Sequence, residues 1–356
     1  MTALKRLIAA RIAAAGPITL ADYMAECLMH PTHGYYVNRQ PFGSDGDFTT
    51  APEISQMFGE LLGLCLAQAW LDQDRPAPFT LAELGPGRGT LLADALRATR
   101  AVTGFHDALR LHLVETSLPL RARQKATLAG FDVTWHDSTD SLPQAPLFLI
   151  ANEFFDALPI RQFQRAPQGW RERLVGLTGD GGLTIGLSDR MLPVMLANRL
   201  ADTAPGDVVE VCPALAPIIA GVASRLQSHG GAALVIDYGG WRSLGDTFQA
   251  LQSHHRADPL AEAGLADLTA HVDFEAIARA AAPPCAHSRM MTQGQVLERL
   301  GIALRAGSLA KNLTGPALAS HSAAYLRLTH PTEMGHLFKA MALFPTRAPP
   351  PPGFDV

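Results

Sequence analysis

The chain has 356 residues, 47% of them hydrophobic and 17% charged, which is enough apolar side chain for a sizeable core and too little charge for a disordered chain. One domain usually takes roughly 100–200 residues, so two domains or one heavily embellished domain are expected. Twenty-nine Lys and Arg against 33 Asp and Glu leave a net charge of −4, without the basic excess of a general nucleic-acid binder.

Residues 1–75 read as helical. Residues 1–21 carry Lys5, Arg6 and Arg11 and no acid, superficially an amphipathic targeting peptide. A domain helix is expected instead, because Gly16-Pro17 is followed at once by Thr19 as an N-cap with Asp22 three residues on. After an irregular insert at 33–50, Pro52 opens a helix in which Ile54, Met57, Phe58, Leu61 and Leu62 recur at three- and four-residue spacing.

From Phe79 the rhythm changes to that of a βαβ sheet, with strands expected at 80–84, 111–115, 132–135, 147–151 and 232–237 and a helix at 90–102. Two insertions interrupt it. One is an antiparallel meander at 160–165, 171–176 and 183–187. The other runs from Tyr238 to about His271 with little periodicity, ahead of amphipathic helices at 274–282 and 294–305. The proline-rich stretch 345–352 is expected to be extended. The units are therefore a helical cover and lid (1–75), the first part of a nucleotide-binding domain (76–158), an inserted meander and helix (159–230), the rest of the sheet with cleft helices (231–345), and a tail (346–356).

Cys27, Cys65, Cys212 and Cys285 match neither zinc-ligand spacing nor a dense disulfide framework, so free thiols in a reducing compartment and no metal are expected. No run approaches the roughly 18 apolar residues of a membrane span, so no membrane insertion is expected.

The sharpest signal is Glu83-Leu84-Gly85-Pro86-Gly87-Arg88-Gly89 between a strand and a helix. Glycines in such a turn let the backbone approach a nucleotide closely. Glu83 would repel a pyrophosphate but attract a cation. S-adenosylmethionine (SAM) offers an ammonium and a sulfonium and no phosphate, so the charge sign favours SAM over NAD. Glu115, at the next strand end, can accept from both ribose hydroxyls, and Asp137, at the third, from an adenine amino group. Each acid could instead be a helix cap or a solvated loop residue. Asn152, Glu153 and Asp156 follow the fourth strand, where an open parallel sheet faces its ligand. Two acids beside Phe154 and Phe155 suit a cationic nitrogen acceptor such as a guanidinium, which they could grip and orient. His271 and Asp273 alternate on an extended segment, either as a proton-accepting pair or as a tie between loop and core.

At these residues the chain resembles the MidA-like family of SAM-dependent methyltransferases. The resemblance rests on Gly16-Pro17-Ile18, His33-Gly34-Tyr35-Tyr36, the run from Gly46 to Ser55, Glu83 to Gly89, Asn152 to Pro159, Asp237-Tyr238-Gly239, and Asp267 to Phe274. It implies an α/β fold: a class I SAM-dependent methyltransferase (Rossmann-like) sheet with an N-terminal helical region and an inserted substrate-cleft subdomain. It also implies that Gly85, Gly87, Glu115 and Asn152 lie near SAM, under a lid at 46–53 that carries Thr49 and Thr50; the strand-end and glycine-loop reading adds Glu83, Gly89 and Asp137 to the cofactor candidates. Mitochondrial members of that family methylate arginine on a respiratory complex I subunit during assembly. The function expected is accordingly a protein arginine N-methyltransferase acting on such a subunit or its bacterial equivalent, in a bacterial cytoplasm or a mitochondrial matrix, with Glu153, Asp156, His271 and Asp273 as catalytic candidates. Alternatives are a methyltransferase for a small-molecule or nucleic-acid amine, and a non-catalytic SAM-binding assembly chaperone. Edge strands of the meander also allow a homodimer.

Overall fold

A computed structural model describes residues 1–38, 50–252 and 255–356. Its centre is a sheet in the order Cys285–His287, Phe338–Pro345, Gly231–Gly240, Leu147–Asn152, Phe79–Leu84, Leu109–Val114, Val133–His136. The last five run parallel, and Phe338–Pro345 is antiparallel to Gly231–Gly240. Parallel strands covered on both faces need apolar residues on both, which is why these read as short continuous apolar runs. Phe79, Leu81, Phe148 and Ile150 enter one core, with Met57, Phe58, Leu61 and Leu62 of the helix Gln56–Asp72. Ala82, Leu84, Leu147 and Leu149 enter the other, with the helices Leu215–His229 and Phe274–Ala281.

The chain order along the sheet reverses between Phe79–Leu84 and Leu147–Asn152, so a crevice opens beyond their C-terminal ends. Leu84 pairs in register with both Val114 and Ala151, which brings the loops after all three strands to one level.

The N-terminal helices pack elsewhere. Leu4, Ile8 and Ile12 of Ala3–Ala15 and Leu20, Tyr23 and Met24 of Leu20–Met29 form a separate core with Ile160, Val175 and Leu268. The expected cap at Thr19 is present: its hydroxyl accepts from the Asp22 N–H at 3.0 Å, and the Asp22 carboxylate accepts from the Thr19 N–H at 3.3 Å. Ile18 and Thr19 add a short strand to the meander through Val175 and Leu174.

Several elements differ from expectation. The helix opened by Pro52 stops at Ile54, because Ser55 is extended and caps a new helix through the Met57 N–H. The stretch expected to be helical over 294–305 is two helices, Gln293–Arg299 and Ile302–Ala310, separated by Gly301 at φ 90°. The helix after the glycine loop ends at Ala98 and tightens into a 3-10 turn. The aperiodic segment after Tyr238 holds a small antiparallel sheet of Gln249–Gln252, His255–Ala257 and Asp267–Thr269. Pro345 ends a buried sheet strand before the rest of the tail leaves strand structure. Among the described residues no helix is long and apolar enough to cross a membrane.

Candidate active site

The glycine loop leaves the Phe79–Leu84 strand with Gly85, Gly87 and Gly89 at φ 61°, 51° and 80°, the left-handed region that favours glycine. A Cβ on Gly85 would also lie 3.0 Å from Cδ2 of Phe154, so the loop lies directly against the segment that follows Asn152. Gln124, completely buried, ties the loop to the next strand end. It donates to the Gly87 carbonyl at 2.8 Å and to Glu115 Oε2 at 3.2 Å, and accepts from Trp135 Nε1 at 2.9 Å.

Two cavities share Gly85, Gly87 and Glu153. The larger, about 330 Å³, runs between Glu115, Asp137 and Thr139 on one side and Phe154, Leu158 and Ile218 on the other, under Met29 and Tyr36. The smaller, about 40 Å³, is enclosed by Thr50, Glu53, Glu83, Asn152 and Glu153. Glu115 faces the larger one with Oε1 held by the Ser117 N–H at 2.8 Å, and burial raises its pKa. Asp137 sits at the rim, mostly exposed and paired with Arg121. Thr49 and the 46–48 part of the expected lid lie outside the described residues. Thr50 is described, at the start of Ala51–Ile54, where Glu53 fastens this helix to the glycine loop by accepting from Thr90 Oγ1 at 2.6 Å and Arg88 Nη1 at 3.2 Å.

Glu83 is 3% exposed, its Oε2 has no hydrogen-bond partner, and burial pushes its pKa up to about 8. Asn152 Oδ1 is likewise buried and unpartnered, while its amide donates to Glu153 Oε1 at 3.0 Å. Unmet buried acceptors are costly unless a donor arrives. Two of them around one small cavity fit a cationic donor such as an ammonium group and disfavour a phosphate.

Glu153 adopts φ 52°, a conformation that costs a non-glycine residue energy and persists only where its surroundings impose it. Asp237 is one such constraint. It is fully buried, and its Oδ2 accepts from the N–H groups of Phe154, Phe155 and Asp156 at 3.2, 2.9 and 3.3 Å. The Glu153 N–H also donates to the Ile236 carbonyl at 2.9 Å, and Glu153 Oε1 accepts from the Ala51 N–H at 3.2 Å. Burial first, then the Asp156 charge, lifts Glu153 to about 7. Burial lifts Asp156 to about 6 against the opposing pull of the Tyr238 hydroxyl, and its Oδ1 has no partner. Asp237, facing both, is pushed well above the ordinary carboxyl range.

Of the two roles open to His271 and Asp273, a proton-accepting pair or a tie between loop and core, Asp273 takes the second. Asp273 caps the helix Phe274–Ala281, with Oδ1 accepting from the Ala276 N–H at 2.9 Å and Oδ2 from the Ser243 N–H at 3.0 Å. His271 instead sets its ring edge-on to Tyr238, with centroids 5.4 Å apart. Both oxygens of Asp273 serve the backbone, so it acts as a structural cap. Sequence reasoning also passed over Glu53, Gln124 and Asp237 as individual site residues. Each acts by holding backbone or a neighbouring carboxyl, a role that leaves no local pattern.

A parallel sheet whose switch point pairs a glycine turn with buried, unmet carboxyl oxygens is built for a nucleoside cofactor that carries positive charge, the property that sets SAM-dependent methyltransferases apart from dinucleotide enzymes. The chain belongs to that family: the family model for S-adenosyl-L-methionine-dependent methyltransferases matches residues 61–291. It is 36% identical to the human mitochondrial protein arginine methyltransferase NDUFAF7, covering 97% of this chain and 84% of that protein. The Drosophila melanogaster homologue of that enzyme is 35% identical, over 96% of this chain and 85% of that one. A crystal structure of a methyl transferase superfamily member from Burkholderia thailandensis bound to S-adenosyl-homocysteine matches with a TM-score of 0.83 at 30% identity, over 99% of this chain and 93% of that one. The protein is a SAM-dependent methyltransferase with a class I Rossmann-like fold.

Proposed function

We propose that the protein methylates an arginine side chain of a protein partner, a respiratory complex I subunit or its bacterial equivalent. The observation that carries this is the carboxyl group of Glu153 at the wall shared by the two cavities, its pKa raised by burial and then by the nearby buried carboxyl of Asp156, whose Oδ1 is free. The relatives named protein arginine methyltransferase support the acceptor class. The mitochondrial location in their names supports a mitochondrial enzyme in a eukaryote, with the bacterial cytoplasm as the counterpart.

SAM supplies a methyl group on a sulfonium. In this reading Glu83 and Asn152 receive its ammonium, Glu115 its ribose hydroxyls, and Asp137 its adenine at the rim, over the backbone of Gly85, Gly87 and Gly89 with Thr50 alongside. Glu153 and Asp156 grip the guanidinium and orient one nitrogen toward the methyl group. On transfer the methyl's bond to the sulfonium sulfur would break as its bond to that nitrogen forms, leaving a neutral thioether, and the nitrogen would give up a proton to Glu153, whose raised pKa suits it to a proton acceptor. Preorganised charge does most of the work. His271 lines neither of these two cavities, and Asp273 serves as a helix cap.

The test is incubation with tritiated SAM and a lysate from cells lacking the protein, followed by mass spectrometry of labelled species. Label on an arginine of one protein is expected. Label on nucleic acid or on a small amine would overturn the acceptor class.

A further inference from the structure

SAM carries an ammonium and a carboxylate on one carbon, so a cavity that takes the first has to meet the second. The small cavity beside the glycine loop holds the unpartnered Glu83 Oε2 and Asn152 Oδ1. Its other charged walls are the carboxyl groups of Glu53 and Glu153 and a single cation, Arg88. Three carboxyl groups suit an ammonium and oppose a carboxylate, which would be costly to bury there without a donor of its own.

Arg88 stands inside the turn, between Gly87 and Gly89, with its side chain 33% exposed. Its Nη1 donates to Glu53 Oε2 at 3.2 Å, and Glu53 is held through its other oxygen by Thr90 Oγ1 at 2.6 Å. Among the described residues Glu53 is the one partner of the Arg88 side chain. A guanidinium has five N–H donors in a planar fork. The edge formed by Nε and Nη2 therefore stays free, and such an edge can meet a carboxylate with two parallel bonds. Glu53 fixes this side chain without using it up. Arg327 is a rival cation, close enough for its charge to act on Glu153, but it is exposed and lines neither of the two cavities.

We propose that Arg88 binds the carboxylate at the amino-acid end of SAM through the donors that Glu53 leaves free. The small cavity then matches both charges of that end, the ammonium at Glu83 and Asn152 and the carboxylate at Arg88. It selects an amino acid over a simple amine. The inference rests on the placement of the ammonium given above.

The test is calorimetric titration of SAM and of decarboxylated SAM, which lacks only that carboxylate. Both are titrated into the wild type, Arg88→Met, Arg327→Met and Glu83→Gln, with circular dichroism reporting each fold. The wild type is expected to prefer SAM by about 10–100-fold, the range of a hydrogen bond to a charged group. Arg88→Met should lose that preference, binding SAM about 10–100-fold more weakly and decarboxylated SAM no more weakly than the wild type does. Arg327→Met should keep it. Equal weakening of both ligands by Arg88→Met would reduce Arg88 to a support of the loop and overturn the proposal. Unchanged affinities in that variant, a wild type without the preference, or its loss in Arg327→Met instead would overturn it as well. Glu83→Gln should weaken both ligands, since both carry the amine. If it weakens neither, the ammonium placement fails, a result separate from the outcome for Arg88→Met.

Discussion

Replacing Glu83 by glutamine keeps the shape of the side chain and removes its charge. In the ligand-free fold this carboxyl is buried, with a pKa raised from 4.5 to about 8. A carboxyl raised on folding contributes stability that is fully present below its unfolded value and is lost as pH rises toward the folded one. At about 1.4 kcal/mol per tenfold change in proton affinity, ionising Glu83 costs the empty protein on the order of 4 kcal/mol by pH 8. Urea denaturation at pH 5 and pH 8 should therefore show a loss of stability in the wild type that is smaller in Glu83→Gln by an amount of that order. A bound ammonium reverses the balance, since it gives the unpartnered Oε2 a cationic donor. SAM affinity of the wild type should thus rise with pH up to about 8, with protons released on binding. Glu83→Gln should bind roughly 10–100-fold more weakly at pH 8, the range of a hydrogen bond to a charged group. A variant with the wild-type pH slope of stability and the wild-type SAM affinity would refute the assignment of Glu83 to the cofactor.

Glu153→Gln should lower kcat at least about 100-fold while SAM binding stays within a few-fold; if partner assembly proceeds normally without any methyl transfer, the protein serves as a chaperone instead. In the wild type, kcat/KM should climb through pH 6–7 as Asp156 and Glu153 ionise, and a flat profile from pH 5.5 to 8 would remove them from the chemistry. Gly85→Ala places a Cβ 3.0 Å from Phe154 at φ 61°; calorimetry should show at least about tenfold weaker SAM binding, with a stability loss of about 1–2 kcal/mol. Asp273→Ala should cost about 1 kcal/mol in thermal or urea unfolding as a lost helix cap, and leave kcat and its pH profile unchanged. A displaced pH profile in that variant would restore the pairing with His271.

What could be read from the chain depended on how locally each feature is encoded. Glu83 to Gly89 follows an apolar strand and combines glycine spacing with an acid, so both the turn and the sign of its ligand were visible. Asn152, Glu153 and Asp156 follow another such strand. The Phe338–Pro345 strand was hidden because its apolar run ends in the first proline of a proline-rich stretch, and as an antiparallel neighbour it falls outside the βαβ alternation that marks the parallel strands. Gly301 splits a helix inside what reads as a single amphipathic face. Asp273 sits immediately before an apolar helix, the ordinary position of a cap, and its alternation with His271 carried no information about which backbone amides would claim it. Asp237 ends an apolar strand much as Glu83 does. Its grip on three amides depends on a loop more than 80 residues earlier.

That separation bears on the order in which the molecule can be assembled. The glycine turn and its Gln124 clasp are complete within the first half of the chain. The acceptor segment has its shape imposed by Asp237 and the Ile236 carbonyl, so it stays unformed until the meander and the helix Leu215–His229 have been made and Gly231–Gly240 has docked beside Leu147–Asn152. A nascent chain thus makes one wall of its cofactor cavity, the glycine turn and Glu115, well before the opposite wall of Phe154, Leu158 and Ile218.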